Sequence, residues 1–199
     1  MTPPCKIAVL FLAAGLSRRF GDSDKLLADC GASGTLIDSA LAPYQEAPWL
    51  SQKIAVTSPN SQVSASCLAA GFEICINPQP ENGMGGSIAC GMAVLQNASH
   101  VLIGLADMPR LQSSTLEKIY HAIDDTGASI VLPSHAGTRG HPRLFAARHF
   151  AALAQLKMDT GGRSIIAACP TVADVAVDDA GCLFDVDTRQ DLTASQAAW

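Results

Sequence analysis

Charge is scarce in this chain: only 16% of its 199 residues are Asp, Glu, Lys or Arg, and they balance at −5. That sign argues against a nucleic-acid partner and gives no bulk attraction for an anionic substrate, so any anion site has to be built locally. No apolar stretch approaches the roughly 18 residues of a membrane span. Seven cysteines (Cys5, Cys30, Cys67, Cys75, Cys90, Cys169 and Cys182) contain no C-x-x-C pair, and five histidines contain no H-x-x-x-H pair. A zinc site is therefore not expected, and the thiols read as isolated small hydrophobes in a reducing cytoplasm. No Ser/His/Asp or Cys/His constellation is present, and no internal repeat or low-complexity tract. What the chain does have is apolar content, nearly half its residues. At this length that predicts a single domain with ample core, residues 1–199, rather than disorder.

The most informative stretch runs from Ile7 to Lys25, IAVLFLAAGLSRRFGDSDK. Ile7 to Leu12 is an unbroken, branched apolar run, the pattern of a strand covered on both faces in a parallel sheet. Lys6 ahead of it also fits a secretory leader, but Arg18 and Arg19 directly after the supposed cleavage point would open a mature chain poorly. Past the strand come Gly15, Ser17, Arg18, Arg19, Gly21 and Lys25. Glycines let backbone N–H groups approach a phosphate, and Arg and Lys bring the charge a triphosphate demands, at the strand end where open α/β sheets bind ligands. A Walker loop does not fit, because five residues separate Gly15 from Gly21 and Leu26 follows Lys25. G-x-G-x-x-G fails as well, with Ser17 and Phe20 at its second and third glycines.

Downstream, the pattern alternates. Thr35 with Asp38 reads as a capping box opening a helix to about Tyr44, with Leu36, Ala40 and Leu41 buried. Pro43 to Ser51 reads as a turn, Ile54 to Ser58 as a strand, Ser61 to Ala70 as a helix stopped by Gly71, and Phe72 to Ile76 as a strand. In NPQPENGMGGSIACG, Gly83, Gly85 and Gly86 make a turn and Ser87 caps a helix to about Asn97; close packing and anion binding fit this stretch equally well. Val101 to Leu105 is a strand ending in Ala106, Asp107, Met108 and Pro109. A carboxylate there either caps the turn or is held by a cation, since one left alone at a buried strand end is costly. Ser114 with Glu117 opens a helix, Ile130 to Leu132 is a strand, and His135 to Phe145 is a polar loop. Asp159 to Arg163 is a second glycine-bearing turn before a helix through Ala168, and Val172 to Val177 is a strand. Thr188 with Asp191 caps a final helix, just after Asp185 and Asp187. This βαβ alternation predicts an α/β fold, one Rossmann-like domain with a mainly parallel sheet and helices on both faces.

With LAAG-x-S-x-R-x-G and Lys25, LADMP, GMGGS, RGHP and DVDTRQDL all present, the whole chain resembles the nucleoside-triphosphate transferases, and within them the molybdenum cofactor cytidylyltransferase branch. The resemblance implies transfer of CMP from CTP to the terminal phosphate of molybdopterin, with Mg²⁺. It places Leu12, Ala13, Ala14, Gly15, Ser17, Arg19, Lys25, Gly85 and Asp107 on the nucleotide, with Arg19, Lys25 and Asp107 catalytic. Gly83, Gly86, Ser87, Gly140, His141 and Arg163 fall on the acceptor side, and Asp107 with Asp187, or Asp185 in its place, on the metal. LAAG in place of LAGG leans to cytidine over guanine, while ADCGASGTLID is longer than the usual link into the first helix. Guanylyl transfer, transfer to a sugar or alcohol phosphate, and a non-catalytic protein delivering cofactor to a molybdenum hydroxylase apo-enzyme are the alternatives.

Overall fold

A computed structural model describes residues 5–16, 20, 24–31, 34–158 and 161–196. One eight-stranded sheet organises them: β1 (Ile7–Ala13), β2 (Leu50–Thr57), β3 (Glu73–Ile76), β4 (His100–Leu105), β5 (Ile130–His135), β6 (Thr138–Arg139), β7 (Arg143–Ala146) and β8 (Val172–Ala176). The order is β3-β2-β1-β4-β7-β5-β6, with β8 beside β5. β1 lies parallel to both β2 and β4, Leu10 facing Ile54 on one side and Ile103 on the other. β2–β3 and β5–β8 are also parallel.

Alternation along β1 sorts the core into two layers, because successive side chains leave opposite faces of a strand. Ile7, Val9, Phe11 and Ala13 pack with Leu36, Ile37 and Leu41 of α1 (Leu36–Gln45), Val63 and Cys67 of α2 (Val63–Ala69), and Leu116 and Ile119 of α4 (Ser113–Thr126). Leu10 instead meets Ile88 of α3 (Gly83–Val94), Leu153 of α5 (Phe150–Leu153) and Ile166 of α6 (Arg163–Ala168). The chain closes with α7 (Arg189–Gln196). Helices therefore cover both faces. Each large aliphatic side chain buried this way stabilises the fold by roughly 1.5–3 kcal/mol.

Several local expectations needed correction. α1 runs through Pro43 to Gln45, and β2 starts at Leu50, so the turn expected over Pro43 to Ser51 is confined to residues 46–49. The polar loop from His135 contains β6 and β7, and β7 runs antiparallel between β4 and β5, interrupting the parallel alternation. Ser87 is no cap: α3 begins at Gly83, and the Ser87 hydroxyl donates to the Gly83 carbonyl while accepting from Asn77 Nδ2. The glycines allow this early start. A Cβ on Gly85 would lie 2.6 Å from the Met158 carbonyl oxygen, so close packing pins the first turn where glycine's low helix propensity would not.

α4 starts without a cap from Ser114, whose hydroxyl points to Gln112 Oε1. The start of the helix is instead tied to the far end of the chain by Asp179, buried, which accepts from Gln112 N (3.0 Å) and Thr115 Oγ1 (2.6 Å), and from Gly181 N (2.8 Å) beside it. Asp179→Ala is expected to cost about 2–3 kcal/mol, the loss of a buried carboxylate's charge-assisted bonds, read as a lower urea midpoint at unchanged slope. A midpoint equal to the parent's would remove Asp179 from that role.

Candidate active site

The order β3-β2-β1-β4 means the chain winds outward from β1 in one direction and then returns to the other side of it. Between the carboxyl ends of β1 and β4 the connections diverge and leave a crevice, the usual ligand position in open sheets. A cleft of about 450 Å³ occupies that place. Leu12, Ala13, Ala14, Gly15 and Leu16 line it from β1, Leu105, Ala106 and Asp107 from β4, and Pro80, Glu81, Gly83, Met84 and Ser87 from the start of α3. Lys25, Leu26 and Asp187 complete the wall. A Cβ on Gly15 would meet nothing within 4 Å, so that backbone borders open space.

Lys25 is the junction. It opens a short 3-10 turn, Lys25–Leu27, fixed by the Asp24 carboxylate accepting from Leu26 N. Its ammonium is buried and donates to Asp107 Oδ2 at 2.8 Å and to the Val186 carbonyl at 2.9 Å, with Asp187 Oδ1 at 3.5 Å. Burying an ammonium requires such partners. Asp187 is held in place by the turn after it: its N–H donates to Asp191 Oδ2, which also accepts from Thr188 N and Oγ1. The capping box expected at Thr188 and Asp191 is thus also the support of a cleft residue.

Two carboxylates, Asp107 and Asp187, converge on the one ammonium. Burial first, and then the Asp107 and Asp187 carboxylates, push the Asp185 carboxyl above its usual range, with Lys25 partly offsetting them. Asp107 Oδ1 is buried with no hydrogen-bond partner among the described residues. A buried anionic oxygen of that kind is what a divalent cation would satisfy. No three Asp, Glu, His or Cys side chains form a full cage among the described residues. A hard divalent cation held by one or two carboxylates would take the rest of its oxygens from substrate and water.

Of the residues expected on the nucleotide, Leu12, Ala13, Ala14, Gly15, Lys25 and Asp107 line this cleft, and Ser17 and Arg19, with Arg18 and Gly21, lie outside the described residues. Lys25 turns toward the two aspartates. Gly83 and Ser87 border the same cleft, whereas Gly85 faces the Lys157–Met158 backbone and Gly86 faces Asn82. Gly140, His141 and Arg163 do not line it. They gather beside it, where the His141 N–H donates to the Cys182 carbonyl and Gly140 stacks against that same carbonyl too closely for any Cβ. Glu81, Met84 and the Val186 carbonyl were missed in the sequence; only the proline-framed QPEN stretch hinted at the first.

The family model of the MobA-like NTP transferase domain matches residues 9–174. The chain belongs to that family. Nicotine blue oxidoreductase of Paenarthrobacter nicotinovorans is 29% identical over 199 residues, 95% of each chain. The crystal structure of Rv0371c from Mycobacterium tuberculosis H37Rv is 27% identical, covers 100% of both chains and superposes with a TM-score of 0.80. The same protein has a structure in complex with manganese, 25% identical over 98% of this chain and 100% of that one, TM-score 0.75. Molybdopterin-guanine dinucleotide biosynthesis protein A from Archaeoglobus fulgidus, 18% identical over 96% and 97%, shares the fold at a TM-score of 0.63. No helix among the described residues is long and apolar enough to cross a membrane.

Proposed function

We propose that this chain transfers CMP from CTP to the terminal phosphate of molybdopterin, releasing pyrophosphate. The observation that carries the reading is the Lys25–Asp107–Asp187 junction at the carboxyl ends of β1 and β4. Nucleotidyl transfer needs alignment and charge neutralisation rather than a nucleophilic side chain, which fits a site built from carboxylates, an ammonium and backbone. An acceptor phosphate oxygen attacks the α-phosphorus of CTP; the bond to the bridging oxygen breaks, and pyrophosphate departs with the electron pair. The acceptor arrives ionised, so no general base is required.

Leu12, Ala13, Ala14 and Gly15 would seat the nucleotide, and the resemblance gives Arg19 and Lys25, with Ser17, the part of binding its phosphates. Asp107 and Asp187 would hold Mg²⁺, which when bound supplies charge neutralisation for the triphosphate. Gly83, Ser87, Gly140, His141 and Arg163 border the acceptor, with Gly85 and Gly86 shaping the helix start between the two halves. A molybdenum hydroxylase apo-enzyme would receive the product. The Ala14 of LAAG supports CTP over GTP.

A second reading has one observation in its favour: the relative that is 29% identical is named an oxidoreductase. One experiment separates the two. Pyrophosphate release with molybdopterin is expected with CTP and Mg²⁺, at least tenfold faster than with GTP. Equal rates would reassign the base, and absence of pyrophosphate with oxidation of a reduced nicotinamide would support the second reading.

A further inference from the structure

The cysteines read in the sequence as isolated thiols, and the fold brings two of them together. Cys75 lies on β3 and Cys90 on α3, with their sulfurs 3.5 Å apart. Cys90 Sγ donates to the Ile76 carbonyl at 3.4 Å, which leaves its lone pairs free to face Cys75. Cys75 is buried and Cys90 half-buried, so Cys90 is the member that a solute can reach.

Packing holds the two elements at this separation. Gly91, next along α3, would place a Cβ 2.9 Å from Val56 Cγ2 and 3.1 Å from Leu10 Cδ1, so the helix sits hard against β2 and β1 beside the thiols. Just past β3, Asn77 Nδ2 donates to Ser87 Oγ at 3.1 Å, a second tie between the same two elements. A disulfide needs about 2.05 Å between its sulfurs, so the pair has about 1.5 Å left to close, a distance that rotation about the two Cα–Cβ bonds supplies. The thiols are unequal. Burial first, and then the adjoining Cys90 thiol, push Cys75 up to about 12, so it stays protonated and is poorly suited to attack first.

The segment between them gives the pair its importance. Residues 76–89 carry Pro80, Glu81, Gly83, Met84 and Ser87, which build one wall of the cleft. A bond from Cys75 to Cys90 would close a ring around that wall.

We infer that Cys75 and Cys90 form a dithiol modification site that a hydroperoxide converts to an intramolecular disulfide, clamping this wall of the cleft. The Cys90 sulfur attacks one peroxide oxygen; the O–O bond breaks, and the departing hydroxide leaves as water with the Cys90 proton. The Cys75 sulfur then attacks the Cys90 sulfenic acid. The S–S bond forms, the S–O bond breaks, and hydroxide leaves with the Cys75 proton as a second water. Two thiols together lose two electrons, and one peroxide is reduced to two waters. None of this depends on what the cleft binds.

The test is non-reducing peptide mapping of the full chain after hydrogen peroxide, with the remaining thiols blocked by N-ethylmaleimide. A linked pair of peptides carrying Cys75 and Cys90, two hydrogens lighter than their sum, is expected, and dithiothreitol should release it. Cys75→Ser should halt the reaction at a sulfenic acid on Cys90, captured by dimedone, and Cys90→Ser should leave Cys75 unoxidised. Cys169, whose sulfur neighbours Ser129, His149 and Thr171 rather than a thiol, is the internal control: Cys169→Ser should change the yield of the link by less than twofold. Amides of residues 80–87 should exchange with deuterium about tenfold more slowly in the linked chain and recover on reduction. Sulfenic or sulfinic acid accumulating on Cys90 of the parent without the link would overturn the pair, as would a link formed only in urea or Cys90 joined to another thiol. Equal exchange in linked and reduced chains would overturn the clamp. Mapping and exchange on the parent need no variant, so a serine variant that misfolds leaves neither result open.

Discussion

Asp107→Asn is expected to lower pyrophosphate release by about 10³-fold, because several kcal/mol of transition-state stabilisation depend on a full negative charge at that strand end. Asparagine keeps the shape and one oxygen, so Lys25 retains the Val186 carbonyl and Asp187 as partners and the fold should survive. What disappears is the orphan Oδ1 charge together with half the carboxylate pair. The measurement is a magnesium titration of turnover, with circular dichroism to show the variant is folded. An active variant with an ordinary magnesium midpoint would separate Asp107 from the metal and leave it as a mere partner of Lys25.

Lys25→Ala should lower kcat/KM by about 10²-fold, the usual loss when one preorganised charge contact goes. Its effect on stability runs through a different route. The side chain is buried and bridges Asp107 to Asp187, so removing it leaves facing carboxylates and an unpaired Val186 carbonyl, at a cost of the order of 3 kcal/mol. A divalent cation binding those carboxylates would restore part of that. Mg²⁺ should therefore raise the melting temperature of Lys25→Ala more than that of the parent chain. Equal shifts would mean that ammonium and metal do not compete for the same carboxylates.

The opening strand and the capping boxes at Thr35 and Thr188 were legible in the sequence. Each is either a local pattern or a motif in a familiar order. The direction of the Lys25 side chain was not: its partners lie 82 and 162 residues away, and spacing says nothing about that. The side chain that ties down the start of α4 is Asp179, 64 residues beyond Thr115, while Ser114 and Glu117 offered a plausible local pair. Glu117 in fact accepts from Trp49 Nε1. β7 was hidden for another reason: Arg143, a charged residue, opens a four-residue strand whose neighbours read as loop.

Because Val186 and Asp187 meet Lys25 across most of the chain, the Lys25 junction is completed late in synthesis. A nascent polypeptide that has emerged only through β8 already holds the glycine turn, the β1–β4 pairing and Asp107, yet its lysine lacks two of its three anchors. The buried ammonium gains its full set of partners only with the final segment, so a ribosome-stalled or clipped product would keep much of the scaffold while leaving that charge under-anchored.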